Sequence, residues 1–451
     1  MSNNGLHKKY GLFTAICMVV GIVIGSGVFF KAEKILNETG GNLPLGILAW
    51  CVGAAIMVAC AYAFSLLATR YERVNGIVDY SEAIVGKNYA YYVGWFLATM
   101  YYPSMTSVLA WVSSRYLCVL LGFSVTGAEC LTIAGFFLIA SYVLNTISPI
   151  LAGKFQVSTT VIKMVPLALM AVVGIIVGLV NGMTVENFTT VVDPSKNPGM
   201  ALFTAVVATA FAFEGWIIAT SINAELKDAK KNLPRALVIG TLIVAATYIL
   251  YYIGLSGTVT NAVLMESGEA GVRVAFETLF SRVGGTVLSV LVVISCLGTL
   301  NGLMLGTSRG MYAIAVRGRG PAPKVFSQVD PTTDMPTNSA VLGLFFCAFW
   351  LLYFYGSQLT SGWFGFFRFD SSELPIITIY AAYLPIFFIA MKKEQSLSKL
   401  QRFGAFPLAA LGSIFMVVAA IFAHSATVVS YLVAFVIFMV IGFFFRKEQK
   451  I

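Results

Sequence analysis

The sequence predicts an all-α polytopic membrane protein of twelve transmembrane helices. Three observations predict it: too little charge for a soluble surface, apolar runs of spanning length from end to end, and basic residues confined largely to one set of loops. Of 451 residues, 58% are hydrophobic and 11% charged, with a mean hydropathy of +0.85. Soluble domains carry roughly 25% charged residues. A helix of about 20 apolar residues crosses a bilayer core, whereas a membrane β-barrel would show short alternating segments.

The runs fall at about 11–31, 46–69, 90–120, 131–149, 157–181, 200–224, 235–259, 286–315, 338–358, 373–391, 405–423 and 425–445. Lys8 and Lys9 ahead of the first run resemble a signal peptide, but the run is long and many spans follow, so it reads as a retained helix. Of 29 Lys and Arg, 21 fall on one side of the implied topology and 7 on the other, with Lys163 inside a span. The basic-rich side is expected to be cytoplasmic and to hold both termini. The net charge of +9 is therefore an orientation signal, and no nucleic acid partner is expected.

Seven cysteines show no metal-ligand spacing, and within spans cysteine behaves as a small apolar residue. Cys118 and Cys130 alone are placed to meet, near the outer face. His7 and His424 are too few and too peripheral for a metal site. With no phosphate-binding loop or nucleophile motif either, no cofactor, metal or enzymatic activity is expected.

The first span carries "GIVIGSGVFF", Gly21 to Phe30. Glycine costs a helix interior about 1 kcal/mol relative to alanine, so three in mid-span weaken it. The sixth span has Phe213-Glu214-Gly215-Trp216 at a similar depth. The two lie five positions apart in the series of spans. Glycine-interrupted helices in corresponding halves point to an inverted-repeat transporter with its site at the breaks. The halves would be residues 1–195 with spans 1–5 and 196–391 with spans 6–10, followed by 392–451 with spans 11 and 12. Unwinding frees N–H groups that suit a carboxylate and carbonyls that suit an ammonium, so opposed breaks can hold an α-amino acid. Ser26 adds a hydroxyl, and Gly25 and Gly27 let a ligand approach the backbone. The alternative is that Gly21, Gly25 and Gly27 serve close helix packing alone.

These motifs resemble the amino acid–polyamine–organocation superfamily. "GIVIGSGVFF" is similar to its first helix, and "AFAFEGW" with "NAELKDAKKNLPRAL" to its sixth helix and following loop. Further likeness, to the L-type amino acid transporters and their bacterial relatives, lies in "YYPSMTSVLA", in Lys163 of "TTVIKMVP", and in "TSRGMYAIAVRGRGPAPKVFSQVD". The resemblance implies a LeuT-like 5+5 inverted repeat with helices 1 and 6 broken. It implies that Ser26 and Gly27 bind the substrate carboxylate, and that the carbonyls of Val23, Phe211 and Glu214, beside Gly215, receive its ammonium. Phe211 would be an aromatic lid, and Asn301 and Leu303 would lie near the substrate side chain. Two departures stand out. "AYAFSLLATRYERVNG" lacks the family's "YAE" and Pro-x-x-Gly-Gly features, and Glu214 replaces a small or apolar residue.

Lys163 is a buried charge, and such charges tend to be functional. By resemblance its ammonium stands where sodium-coupled relatives bind an ion, which implies sodium-independent transport; a proton carrier and a snorkelling lysine remain alternatives. Glu214 is open between a protonated carboxyl bonded to loosened backbone, a counter-ion for a cationic substrate, and a proton site paired with Lys163. Glu373 and Asp370, at the outer mouth of span 10, are expected to be solvated. The expected function is transport of small or neutral L-amino acids by exchange or proton symport, with a cationic amino acid or polyamine carrier as the rival. A channel or a non-transporting amino acid receptor is more distant. Animal members attach a glycoprotein by a cysteine between spans 3 and 4, where Cys130 lies. The compact loops suggest instead a chain of a bacterial inner membrane that needs no partner subunit beyond substrate and lipid.

Overall fold

Eleven helices among the described residues are long and apolar enough to cross a membrane: Leu12–Phe29, Leu43–Ala68, Lys87–Leu121, Ala128–Ile147, Pro149–Val180, Pro198–Glu225, Ala229–Ser256, Gly271–Ala315, Thr337–Leu359, Leu374–Lys393 and Gln401–Ala423. They are spans 1 to 11. A shorter apolar helix, Val428–Phe444, lies where the twelfth run is expected. This computed structural model describes residues 7–72, 75–267, 271–360, 362–424 and 427–449. Arg73 and Lys450, counted among the cytoplasmic basic residues, and the start of the twelfth run lie outside them.

Local chemistry sets several helix starts. Asn42 accepts from the Leu45 N–H ahead of Pro44, and Ser148 from the Leu151 N–H ahead of Pro149. Asn197 accepts from the Gly199 and Met200 N–H groups ahead of Pro198. A side-chain acceptor relieves the orphan donors of the first turn, and proline there gives up no hydrogen bond.

Burial orders the bundle. The apolar stretches of spans 1 and 6 are 78% and 83% buried against 33% for span 4, so spans 1 and 6 form the centre and span 4 the periphery. Ile147, Phe345 and Leu411 on spans 4, 9 and 11 are exposed, as an integral membrane protein's lipid-facing side chains are. Spans five apart are neighbours: 2 packs on 7, 3 on 8 and 4 on 9. The first half of span 1 packs on the second half of span 6, and the second half of span 1 on the first half of span 6.

The described ends of the chain share one face, here the terminal face. The Lys9 and Tyr10 N–H groups bond the Glu225 carbonyl at 2.8 and 3.0 Å, and the Gln449 N–H bonds the Gly318 carbonyl at 2.8 Å. A buried helix that the apolar pattern does not signal, Gly76–Ile84, lies on this face between spans 2 and 3.

Candidate functional site at two helix breaks

Span 1 is two half-helices, Leu12–Val23 and Gly27–Glu38, because Ile24 leaves the helical backbone at φ −74°, ψ 97°. The carbonyls freed at the end of the first half are taken up by side chains. Lys163 Nζ donates to Gly21 O at 2.8 Å and Ile24 O at 2.5 Å, with Thr299 Oγ1 at 3.1 Å. The Thr299 hydroxyl lies 3.0 and 2.9 Å from the same two carbonyls. Ser295 donates to Gly25 O at 3.3 Å, and the Tyr248 hydroxyl to Val23 O at 3.0 Å. A cation at a helix C-terminus meets the negative end of its dipole. Lys163 is fully buried and does not snorkel; it holds the break from below.

The second half-helix begins after Ser26 with no side-chain cap, which leaves first-turn N–H groups available. The Ser26 hydroxyl is buried beside the Cys296 thiol without a regular hydrogen bond. A Cβ on Gly27 would sit 2.7 Å from Ala212 Cα, so this glycine brings span 1 against the backbone of span 6. Gly21 does serve packing, since a Cβ there would meet Thr160 Oγ1 at 2.0 Å on span 5.

Span 6 breaks beside it. Its first half ends at Phe213, Glu214 is extended, and Gly215 takes φ +103° before the ten-residue 3₁₀ stretch Trp216–Glu225. Long 3₁₀ runs are uncommon and mark strain or hinges. The Glu214 carboxylate accepts from the Tyr101 hydroxyl, and Tyr101 ends a π-helical turn of span 3, Leu97–Tyr101. Tyr101, and not Lys163, is therefore the partner the structure gives Glu214.

Val23, Gly25, Ser26, Gly27, Phe211, Glu214 and Gly215 thus converge where the two breaks face each other, with Lys163 beneath. Leu303 is buried one turn along span 8 from Thr299. Asn301 is turned elsewhere. Its amide group pairs with Asn145 at 3.0 Å, Gln156 at 3.1 Å and Ala152 O at 3.2 Å, toward spans 4 and 5. On span 8, Ser295 and Thr299, four apart on one face, bond the freed carbonyls of the break. That spacing was legible in the sequence, but carries weight only once the face is known. Tyr101 stood in a motif singled out for resemblance alone.

The opposite face corrects one expectation. Glu373 is 1% exposed and not solvated: its carboxylate lies 2.5 Å from Lys31 Nζ, 3.2 Å from Lys34 Nζ and 2.8 Å from His424 Nε2. The partners are 342, 339 and 51 residues away, a pairing no local pattern encodes. Burial pushes this carboxyl up, but Lys31, His424 and Lys34 outweigh it and hold it well below the usual range. Asp370 keeps part of its surface and caps Ser372. Lys31, Lys34, Asp370, Ser372 and Glu373 line an outer cavity of about 190 Å³ whose wall includes Phe211, with Lys31 Nζ 5.1 Å from the Phe211 ring centre. Cys118 and Cys130 do approach each other, around Ser114, but both thiols are free and buried.

The chain is similar to known transporters. The chain is 28% identical to a serine/threonine exchanger of Bacillus subtilis over 386 residues, 86% of this chain and 83% of that protein. It is 26% identical to the mouse b(0,+)-type amino acid transporter 1 over 76% of this chain and 69% of that one. The human large neutral amino acids transporter small subunit 2 is 27% identical over 73% and 62%. The amino acid permease family matches residues 10–444, nearly the whole length, and the chain belongs to that family as a secondary-active transporter of amino acids and not an enzyme.

Proposed function

We propose that the chain carries small or neutral L-amino acids across the membrane without sodium, by exchange or proton symport, in two inverted halves of five spans followed by two more. The observation that carries this reading is the pair of facing breaks, with the Lys163 ammonium bonded to the Gly21 and Ile24 carbonyls. A fixed cation there supplies the charge that a sodium ion would bring to freed carbonyls. The substrate carboxylate would take the Ser26 hydroxyl and the N–H groups that start the second half of span 1. Its ammonium would take the carbonyls of Val23, Phe211 and Glu214. Phe211, between this site and the outer cavity, suits a lid. The packing of spans five apart supports the repeat, and the basic residues gathered on the terminal face support cytoplasmic termini. Cys130 is 1% exposed, which favours a chain working without a disulfide-linked partner.

The test is sodium-free uptake of labelled alanine or serine into proteoliposomes, either loaded with unlabelled amino acid or empty under an inward proton gradient. Uptake in either arm supports the reading, and none in both sinks it. The cationic alternative rests on Glu214, a carboxylate beside the expected ammonium site. Uptake of arginine, lysine or a polyamine in the same vesicles, with alanine inert, would favour it.

A further inference from the structure

Five carboxylates are buried among the described residues: Asp79, Glu214, Glu225, Glu373 and Glu394. Four of them face a cation. Asp79 pairs with Arg317, Glu225 with Arg309 and with Lys9 at 2.9 Å, Glu373 with Lys31 at 2.5 Å, and Glu394 with Arg70 at 2.9 Å. Glu214 has no ion pair among the described residues; its one hydrogen-bond donor side chain is Tyr101, and its second oxygen has no side-chain partner. The titratable groups around it are Tyr101 of span 3, Cys60 of span 2, and Tyr380 and Tyr383 of span 10, with Tyr102 near Tyr383. None is a cation.

Lys163 is the contrasting case. Its ammonium has three N–H donors and three acceptors in reach. All three donors are matched only in the charged form, and that charge sits at the negative end of the first half-helix, so Lys163 is placed as a fixed charge. Glu214 is built the other way, as an acid that can exist with or without a proton inside a low-dielectric bundle.

A route to it is also present. Buried polar atoms with no regular protein partner lead away from Glu214: the hydroxyls of Tyr383 and Tyr102, and the amide of Asn75. Tyr102 faces Asn75. A Cβ on the neighbouring Gly76 would lie 2.6 Å from Thr220, so the start of the Gly76–Ile84 helix sits against the second half of span 6. Buried polar groups pair with protein or with ordered water, and water bridging these atoms would complete a proton relay.

We propose that Glu214 is a proton-binding site coupled to amino acid movement, loaded from the outer side with the substrate and emptied to the cytoplasm through the Tyr383–Tyr102–Asn75 column. This rests on the transporter reading above. One proton binds the carboxylate outside, crosses with one amino acid, and leaves to cytoplasmic water. The empty carrier returns with the carboxylate accepting the Tyr101 O–H.

The experiment measures two quantities together in proteoliposomes of the full chain: labelled alanine entering and acidification of a pH dye trapped in the lumen. Wild type is expected to acidify the lumen in step with alanine entry under an inward proton gradient. In Glu214→Gln, and in the smaller neutral Glu214→Ser, whatever uptake remains is expected to lose both the acidification and the response to the gradient. Wild type that takes up alanine with no acidification overturns the proposal, as do neutral variants that still acidify in step. If neither variant carries flux, proton uptake on alanine binding in weakly buffered detergent decides: wild type takes up a proton and the variants take up none, and any other pattern overturns it. Wild type that neither takes up nor exchanges alanine or serine would instead remove the transporter reading.

Discussion

Lys31 and Glu373, at the outer ends of spans 1 and 10, form a buried ion pair at 2.5 Å, and Lys31 also stands 5.1 Å from the Phe211 ring centre. One ammonium therefore touches both the wall of the outer cavity and the aromatic ring expected to close over the substrate. His424, next to the end of span 11, reaches the second oxygen of the same carboxylate at 2.8 Å. The outer half of span 1 is thus tied to span 10 and, through it, to the last helices of the chain.

Neutralising Glu373 should destabilise the protein, because it removes the buried carboxylate that faces Lys31, Lys34 and His424 together. Breaking a buried pair from one side costs about 3–5 kcal/mol. Glu373→Gln is expected to unfold at a clearly lower temperature, and Lys31→Met with Glu373→Leu to regain much of the loss. A double variant no more stable than the single would refute the pairing energetics. The carboxyl is held well below its ordinary 4.5, so its contribution is fully present above that ordinary value and fades as pH falls through the lowered one. The stability difference between wild type and Glu373→Gln should be flat with respect to this carboxyl around neutral pH and shrink only as pH falls below its ordinary 4.5.

Lys163→Ala should convert a fixed charge into an ion site. The variant leaves Gly21 O, Ile24 O and Thr299 Oγ1 around a space without a cation, and each carbonyl left unsatisfied costs roughly 1–3 kcal/mol. Unwound carbonyls of this kind coordinate sodium. Sodium, and not potassium, is expected to raise the unfolding temperature of Lys163→Ala while leaving wild type unmoved. Equal responses of the two proteins to sodium would dismiss the ion-substitute role.

Gly215→Ala should damage the break of span 6. Gly215 sits at φ +103°, and an added Cβ would lie 2.8 Å from Ile22 Cγ2. An L side chain in that backbone region costs roughly 1–3 kcal/mol, before the contact is relieved. Transport should fall further than stability does, since the site is formed by the strained segment. Ser26→Leu, by contrast, is expected to leave the protein folded and abolish substrate binding, read by ligand-induced thermal shift. Binding that survives it would move the site away from span 1.

What the sequence disclosed follows from which features are local. A glycine pair in mid-span is costly where it stands, and a lone lysine in an apolar run has no ordinary reason to be there, so the breaks and Lys163 could be read directly. The spans were legible because length and hydropathy are local as well. Glu373 could not be read, since its burial depends on Lys31 across 342 positions, and a carboxylate at a span mouth is locally indistinguishable from a solvated one. Asn301 is a related case: resemblance places it on span 8 but does not give its bonds to Asn145 and Gln156. The Gly76–Ile84 helix is nine residues long with Asp79 and Glu82 in it, too short and polar to register, although the structure buries it.

The terminal face carries the last prediction. Arg309 and Glu225 are both fully buried and form an ion pair, which Lys9 joins at 2.9 Å while also reaching Asp334 at 3.3 Å. Arg309 belongs to span 8, Glu225 ends span 6, Lys9 precedes span 1 and Asp334 lies between spans 8 and 9, so the cluster ties the two central helices to their surroundings on that side. A path from the breaks to the terminal face must loosen it. Arg309→Lys keeps the charge but loses the planar fork that serves the Glu225 carboxylate and the Leu305 carbonyl together, so it is not conservative. It is expected to lower the unfolding temperature and to make a cysteine placed at Ser221 more reactive to a membrane-impermeant thiol reagent applied from the terminal side, in a background without the native cysteines. Labelling unchanged from the Arg309 parent would show that the cluster holds the fold together without guarding the route inward.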